Sequence, residues 1–207
     1  AAPSRMRCAG SVGLRNRRLR IGFVSGDFRT HSVGHFLAGV LAAHDREGFA
    51  LVAYANQAVE DAATARMKPH FTIWRPVAAL DDAALAEAIR ADGIDILVDL
   101  SGHTGHTRIE TFARRPAPVQ AAWIGYPQTS GIAAMDWIIA DARALPPEDE
   151  ALYRERAMRL PGCYLSYAGP LPGPLPASAP RAGARGGGCG GLAHRKHRGV
   201  APWARNQ

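Results

Sequence analysis

In the run LRIGFVSGDFRTHSVGH, residues 19–35, an apolar stretch ends in a Gly-Asp turn and His31 follows it at the start of a helical pattern. An imidazole near its ordinary pKa takes or relays protons at neutral pH, so a histidine at such an edge is a candidate for general acid–base work. Taken alone, His31 reads as a helix-start residue bonding the backbone. His31 and His35 also stand at i, i+4, the spacing of two zinc ligands on a helix, but the metalloprotease pattern needs Glu where Ser32 stands. His35 is expected to pack under the helix. In SGHTGHTR, His103 and His106 join Asp99 as metal-ligating types, with no further ligands at fixed spacing. In Gly125-Tyr126-Pro127-Gln128-Thr129-Ser130-Gly131, glycines at both ends permit close backbone approach to a ligand, and Thr129 and Ser130 add hydroxyl donors. By itself that loop reads as an ordinary strand-to-helix turn.

The elements that must position these residues alternate. Strands are expected from residue 19, at 49–54, 71–77 (short, or an edge), 94–100, 119–124 and 137–140. Helices are expected at 36–45, 61–68, 81–90, 107–114 and 148–156. Asp81 and Asp82 supply a cap, and Leu85, Ala88 and Ile89 share a stripe. The 107–114 helix stops near Pro116, whose ring disfavours helical geometry before it. Trp74, Trp123 and Trp137 fall in strand patterns and are expected in the core. Arg114 and Arg115 are expected at a helix C-terminus, where positive charge is favoured. Such alternation predicts an α/β, Rossmann-like fold: a mostly parallel sheet with helices on both faces.

Four ordered segments, GFVSGDFRTHSVGHF, DGIDILVDLSGHT, RRPAPVQAAWIGYPQTSG and AMDWIIAD, resemble the N-terminal half of the catalytic region of the protein O-GlcNAc transferases, including the bacterial SPINDLY-type proteins. The resemblance covers residues 19–167. It implies the first lobe of a two-lobe, GT-B type glycosyltransferase that moves N-acetylglucosamine from UDP-GlcNAc to a Ser or Thr hydroxyl of a protein acceptor, with inversion and with no cofactor or metal. It further implies that His31 is the catalytic residue, as base or acceptor-positioning group. His103 and Thr104 would line the donor-facing edge, with Gly125, Tyr126, Pro127, Thr129, Ser130 and Gly131 beside the sugar and donor phosphates. His106 departs from the pattern, since many relatives carry a small or amide residue there. Relatives that transfer fucose leave the donor sugar open. The family's second lobe, which supplies most nucleotide-binding groups, and its upstream tetratricopeptide repeats are not legible here. The chain alone is therefore expected to bind UDP weakly and turn over little. Two other classes stand beside this one: a non-catalytic remnant or interaction domain, and a metal-dependent hydrolase using Asp99, His103 and His106.

Composition bounds the partners. The 207 residues carry a formal charge of +7, but residues 1–18 hold five arginines and no acid, and residues 168–207 hold six basic residues and no acid. The intervening region is left with 14 basic against 18 acidic residues. The basic excess thus lies only in the ends, which argues against nucleic-acid binding by the folded part. Residues 1–18 read as a disordered basic lead-in. In residues 168–207, 15 of 40 positions are Gly or Pro, which reads as a disordered tail, with a frameshift as its expected origin. Cys8, Cys163 and Cys189 are too scattered for a disulfide framework or metal knuckle, and a reducing cytoplasm is expected. No apolar run reaches membrane-spanning length, and neither GxGxxG nor a Walker A sequence is present.

Overall fold

The computed structural model describes residues 17–167. The expected lead-in, apart from Arg17 and Arg18, and the expected tail lie outside the described residues. Arg17 is anchored rather than loose: its guanidinium grips Asp95 with two bonds of 2.7 and 2.6 Å.

Seven strands, β1 (Leu19–Ser25), β2 (Phe49–Ala55), β3 (Ile73–Pro76), β4 (Ile96–Asp99), β5 (Val119–Ala122), β6 (Trp137–Ala140) and β7 (Arg156–Arg159), form one sheet. Its order is β3-β2-β1-β4-β5-β6-β7, and every pairing is parallel. Four helices, α1 (Ser32–Ala43), α2 (Ala62–Met67), α3 (Asp82–Ala91) and α4 (Ile109–Ala113), cover the two faces. Because strand side chains alternate, β2 serves both layers at once. Leu51, Ala53 and Ala55 pack with Leu37 and Leu41 of α1 and Met67 of α2. Val52 and Tyr54 pack with Leu85 and Ile89 of α3 and Phe112 of α4. Leu37, Leu41, Leu85 and Ile89 are completely buried, each contributing roughly 2 kcal/mol of transfer free energy. Sheets covered this way read as nearly continuous apolar runs, which is how β1, β2 and β4 read. The expected α/β architecture is present.

The helix starts are set by side-chain caps. Asp81 accepts from Ala84 N at 2.7 Å, and Asp61 forms a reciprocal capping box with Thr64. Helix α1 begins at Ser32, four residues before the expected start, because His31 itself is the cap. The expected 148–156 helix is corrected. A 3-10 turn forms over Pro147–Leu152, the backbone becomes extended at Tyr153, and Arg156–Arg159 pairs with β6 as edge strand β7, its ladder bonds taking the place of further helix. Short and arginine-flanked, β7 has the charged composition of a protected edge. Arg156 lies 4.2 Å over the Trp137 ring, and Arg159 pairs with Glu150 at 2.6 Å. Trp123 is buried as expected, whereas Trp74 and Trp137 are only partly so. Arg115 does not neutralise the helix end: it bonds Asp136 and the carbonyls of Ala134 and Pro118.

The topology creates one special edge. From β1 the chain steps outward to β2 and β3, and α3 then carries it back to β4 on the other side of β1. The loops leaving the C-terminal ends of β1 and β4 therefore diverge in opposite directions, opening a crevice where ligands bind in such sheets.

Candidate active site

At that crevice lies a cavity of about 330 Å³ whose wall includes Asp27, Arg29, His31, Thr104, His106 and Gly125. It draws on the loops after β1, β4 and β5 together.

The β1 loop is built rather than merely connecting. Ser25 Oγ accepts from Asp27 N at 2.9 Å. Phe28, fully buried, is anchored through its backbone: Gln57 Nε2 and Thr64 Oγ1 donate to its carbonyl at 2.8 and 2.6 Å. Thr30 N donates to Asp61 Oδ2 at 2.7 Å. Hydrogen bonding from the Thr30 side chain, with the cap bond from Thr64 N and the Thr30 amide, holds the Asp61 carboxyl well below the usual carboxylate range. His31 Nδ1 accepts from Val33 N at 3.3 Å, closing the N-terminus of α1. That bond requires Nδ1 to be unprotonated, so the neutral ring carries its proton on Nε2. Asp27 Oδ2 stands 3.7 Å from the same Nδ1, while Asp27 Oδ1 holds Arg29 at 3.1 Å. The ring thus has two partners for one nitrogen: an amide donor when Nδ1 is bare, and a carboxylate acceptor when it is protonated.

The β4 loop is set by Asp99, whose buried carboxylate accepts from Ser101 N at 2.9 Å and Gly102 N at about 3.1 Å. Burial pushes its carboxyl above the ordinary range, partly offset by those two amides. Thr104 lines the cavity with its hydroxyl donating to Ser101 O at 2.7 Å. His103 does not line it: Nε2 meets Ser130 O at 2.8 Å, and the ring sits edge-on to Tyr126 with centroids 5.4 Å apart.

Gly125 reaches the cavity because it passes over the end of β4 closer than any side chain allows. A Cβ there would lie 1.8 Å from Leu100 O. The rest of the Gly-Tyr-Pro loop is absent from the cavity wall; Pro127, Gln128 and Gly131 are exposed, while Ser130 is buried. Pro127 O accepts from Tyr153 at 3.1 Å. Thr129 Oγ1 and Ser130 N both donate to Glu155 at 2.7 Å, and Ser130 Oγ donates to it as well. Gly131, in a left-handed conformation, closes the turn. Of the residues singled out in the sequence, His31, Thr104 and Gly125 meet around the cavity. Tyr126, Pro127, Thr129, Ser130, Gly131 and His103 do not line it: His103 ties the β4 loop to the β5 loop through Ser130 and Tyr126, and Pro127, Thr129 and Ser130 are held by Tyr153 and Glu155.

Asp27 and Arg29 on the cavity wall were passed over in the sequence, although their i−4 and i−2 spacing to His31 was an available signal, and His106, named there as a metal-ligating type, joins them. Glu155, which pins the loop from 25 residues away, had none. His35 is exposed rather than packed under the helix, because α1 turns Leu37 and Leu41 to the sheet instead. The zinc reading of Asp99 and His103 loses its ligands, since Asp99 is committed to backbone amides and His103 to a carbonyl. No group of three metal-ligating side chains occurs among the described residues. No helix among them is long and apolar enough to cross a membrane.

The family model "Glycosyl transferase family 41" matches residues 5–167. A relative from Oryza sativa subsp. japonica, named "Probable UDP-N-acetylglucosamine--peptide N-acetylglucosaminyltransferase SPINDLY", is 40% identical over 165 residues, covering 75% of this chain and 18% of its own length. The Arabidopsis thaliana protein named with the same activity and the designation SEC is 35% identical over 149 residues, 72% of this chain and 15% of that one. Among solved structures, a mutant of the Thermobaculum terrenum O-GlcNAc transferase superposes with a TM-score of 0.70 at 50% identity, covering 72% of this chain and 29% of the other. The chain therefore spans about a fifth of the length of the curated relatives it matches. With the matched region running through all three loops of the cavity, the chain belongs to glycosyl transferase family 41.

Proposed function

We propose that this chain supplies the first lobe of a protein O-GlcNAc transferase, and that the cavity at the β1/β4 crevice receives the sugar end of UDP-GlcNAc together with the acceptor hydroxyl. The reading is carried by one observation: His31, Thr104 and Gly125, from three loops distant in sequence, wall a single cavity at the edge where such sheets bind ligands.

In the inverting reaction the Ser or Thr oxygen attacks the anomeric carbon, the bond from that carbon to the β-phosphate oxygen breaks, and its electron pair leaves with UDP. The hydroxyl proton must pass to an acceptor, and the charge on the diphosphate must be stabilised. In its capped state His31 offers Nε2–H, a hydrogen-bond donor that orients a substrate oxygen. It is a base at Nε2 only in the other neutral tautomer, in which Nε2 has released its proton to solvent and Nδ1 has gained one and donates to Asp27 Oδ2 instead of accepting from Val33 N, a change of partner within reach of the 3.7 Å separation. On this reading Asp27 selects the tautomer. The diphosphate finds little compensation here, because Arg29, the guanidinium on the cavity wall, is already paired with Asp27. Weak UDP binding and slow turnover by these residues alone follow, as does a need for cationic groups from elsewhere in a complete enzyme.

Two measurements test the proposal. Titrating the ¹⁵N-labelled chain with millimolar UDP-GlcNAc should move the amides of residues 26–35, 101–107 and 124–126; shifts confined to the opposite end of the sheet would refute the site. Mass spectrometry of an acceptor protein incubated with the chain and UDP-GlcNAc should find little added hexosamine, and rapid multi-turnover transfer would overturn the account of the diphosphate. An unchanged spectrum at millimolar donor would favour a non-catalytic interaction domain.

A further inference from the structure

His106 holds a place that costs the chain something. Its φ is 63°, in the left-handed region where a side chain carries a steric penalty that glycine avoids. Three described non-glycine residues adopt positive φ, and two of them, His106 and Ile124, lie in the wall of the same cavity. Strain of this kind persists where surrounding structure enforces it, and it gathers at ligand sites.

The enforcement is visible. Asn56 Nδ2 donates to His106 O at 2.9 Å, and Asn56 Oδ1 accepts from Arg108 at 2.7 Å. Arg108, largely buried, also reaches Val77 O at 3.3 Å and Asp82 at 3.5 Å, and Thr111 secures Asp82 at 2.6 Å. A chain of polar contacts from the start of α3 thus ends on the one carbonyl that fixes the His106 backbone. From the other side Gly26 makes room: a Cβ there would stand 2.5 Å from His106 Cβ. The imidazole so placed is exposed to the cavity it lines with His31, and among the described residues its ring makes no hydrogen bond. A strained backbone, a dedicated anchor and a glycine cleared to admit it, all for a ring with no protein partner, are explained together if the partner is a ligand.

Resting on the reading of the cavity given above, we infer that His106 is a second binding imidazole, which hydrogen-bonds an oxygen of the sugar-nucleotide donor opposite His31. Its neutral ring offers one donor and one acceptor, matching a sugar hydroxyl or a phosphate oxygen.

The test uses the strain itself. His106→Gly removes the ring while its backbone adopts φ of 63° freely, and His106→Asn tolerates the same backbone with a shorter polar group. Donor affinity is read by NMR titration of the full chain with UDP-GlcNAc, and stability by thermal melting. The expected result is that His106→Gly melts at or above the wild-type temperature yet binds UDP-GlcNAc about five-fold more weakly, the loss of one hydrogen bond. The Asn56 side-chain amide signal should stay in place, showing the loop intact. In the wild type the His106 ring signals should move on titration. Equal affinity in wild type and both variants, or His106 ring signals that ignore the donor, would overturn the role of His106 alone. Failure of the wild type to bind would remove the cavity reading and this inference with it.

Discussion

Removing the Glu155 carboxylate should unfasten the Gly-Tyr-Pro loop, and the size of the effect can be worked from its bonds. Glu155 and Ser130 are 3% and 4% exposed, so water does not replace what is lost. In Glu155→Ala, three donors lose an acceptor: Thr129 Oγ1, Ser130 N and Ser130 Oγ. The two hydroxyls can rotate towards other oxygens, but the amide cannot. A hydrogen bond to an ionised group is worth about 1.5–3 kcal/mol, which the stranded amide loses in full, and the hydroxyls add roughly 1–2 kcal/mol. These net values already carry the cost of desolvating the carboxylate, so the loss is about 3 kcal/mol. For a folded unit of this size that corresponds to a melting temperature lower by about 6–12 °C. Glu155→Gln keeps one acceptor oxygen for the amide and should fall by only about 3 °C. Circular-dichroism melts of the chain measure both, with hydrogen exchange at Ser130 as the local readout. An Ala variant within about 2 °C of wild type would show that the pin contributes nothing. A Gln variant as damaged as Ala would show that charge, not the acceptor, matters.

Three further outcomes are expected. His31→Asn keeps an N-cap of high propensity but removes Nε2, so its melting temperature should stay near wild type while UDP-GlcNAc shifts at Thr104 and Gly125 diminish; undiminished shifts would exclude His31 from the site. In Gly125→Ala the added methyl meets backbone at Leu100 O, which cannot yield, and a loss of about 3 kcal/mol is expected, seen as a clear drop in the melt. Burial raises the Asp99 pKa in the folded state, so the wild type is most stabilised with that carboxyl protonated and loses this advantage as pH rises from the unfolded value of about 3.9 towards the folded one. Asp99→Asn still accepts from Ser101 N and Gly102 N and cannot titrate. Its melting temperature relative to wild type should therefore increase between pH 4 and 7, and a decrease would reverse the assigned shift.

What was legible in the chain and what was not divides along a physical line. Strand and helix existence was legible because burial on both sheet faces imposes apolar runs and stripes, as in β2 and α3, and Asp81 announced its helix as a local cap. The start of α1 was not, because histidine is an uncommon cap and its role depends on a ring rotamer rather than on residue type. Strand β7 was hidden by acids and arginines that fit a helix as well as an edge. The cavity members His31, Thr104 and Gly125 were legible through the ordered motifs that resemble the family; taken alone, His31 reads as a helix-start residue and Gly125 as part of an ordinary turn. The loop that carries Thr129 and Ser130 is placed beside the donor by the resemblance alone, and in the folded chain its two hydroxyls donate to Glu155. Hydroxyls are equally suited to a substrate and to a buried carboxylate 25 residues away, and only the fold says which is near. The same asymmetry places Asn56, Arg108 and Glu155 beyond sequence reading: they act on backbone atoms of distant loops, and such contacts leave no pattern in their own neighbourhood. Residues at the strand ends are thus found from short contiguous motifs, whereas those that hold the loops in place are found by what surrounds them in space.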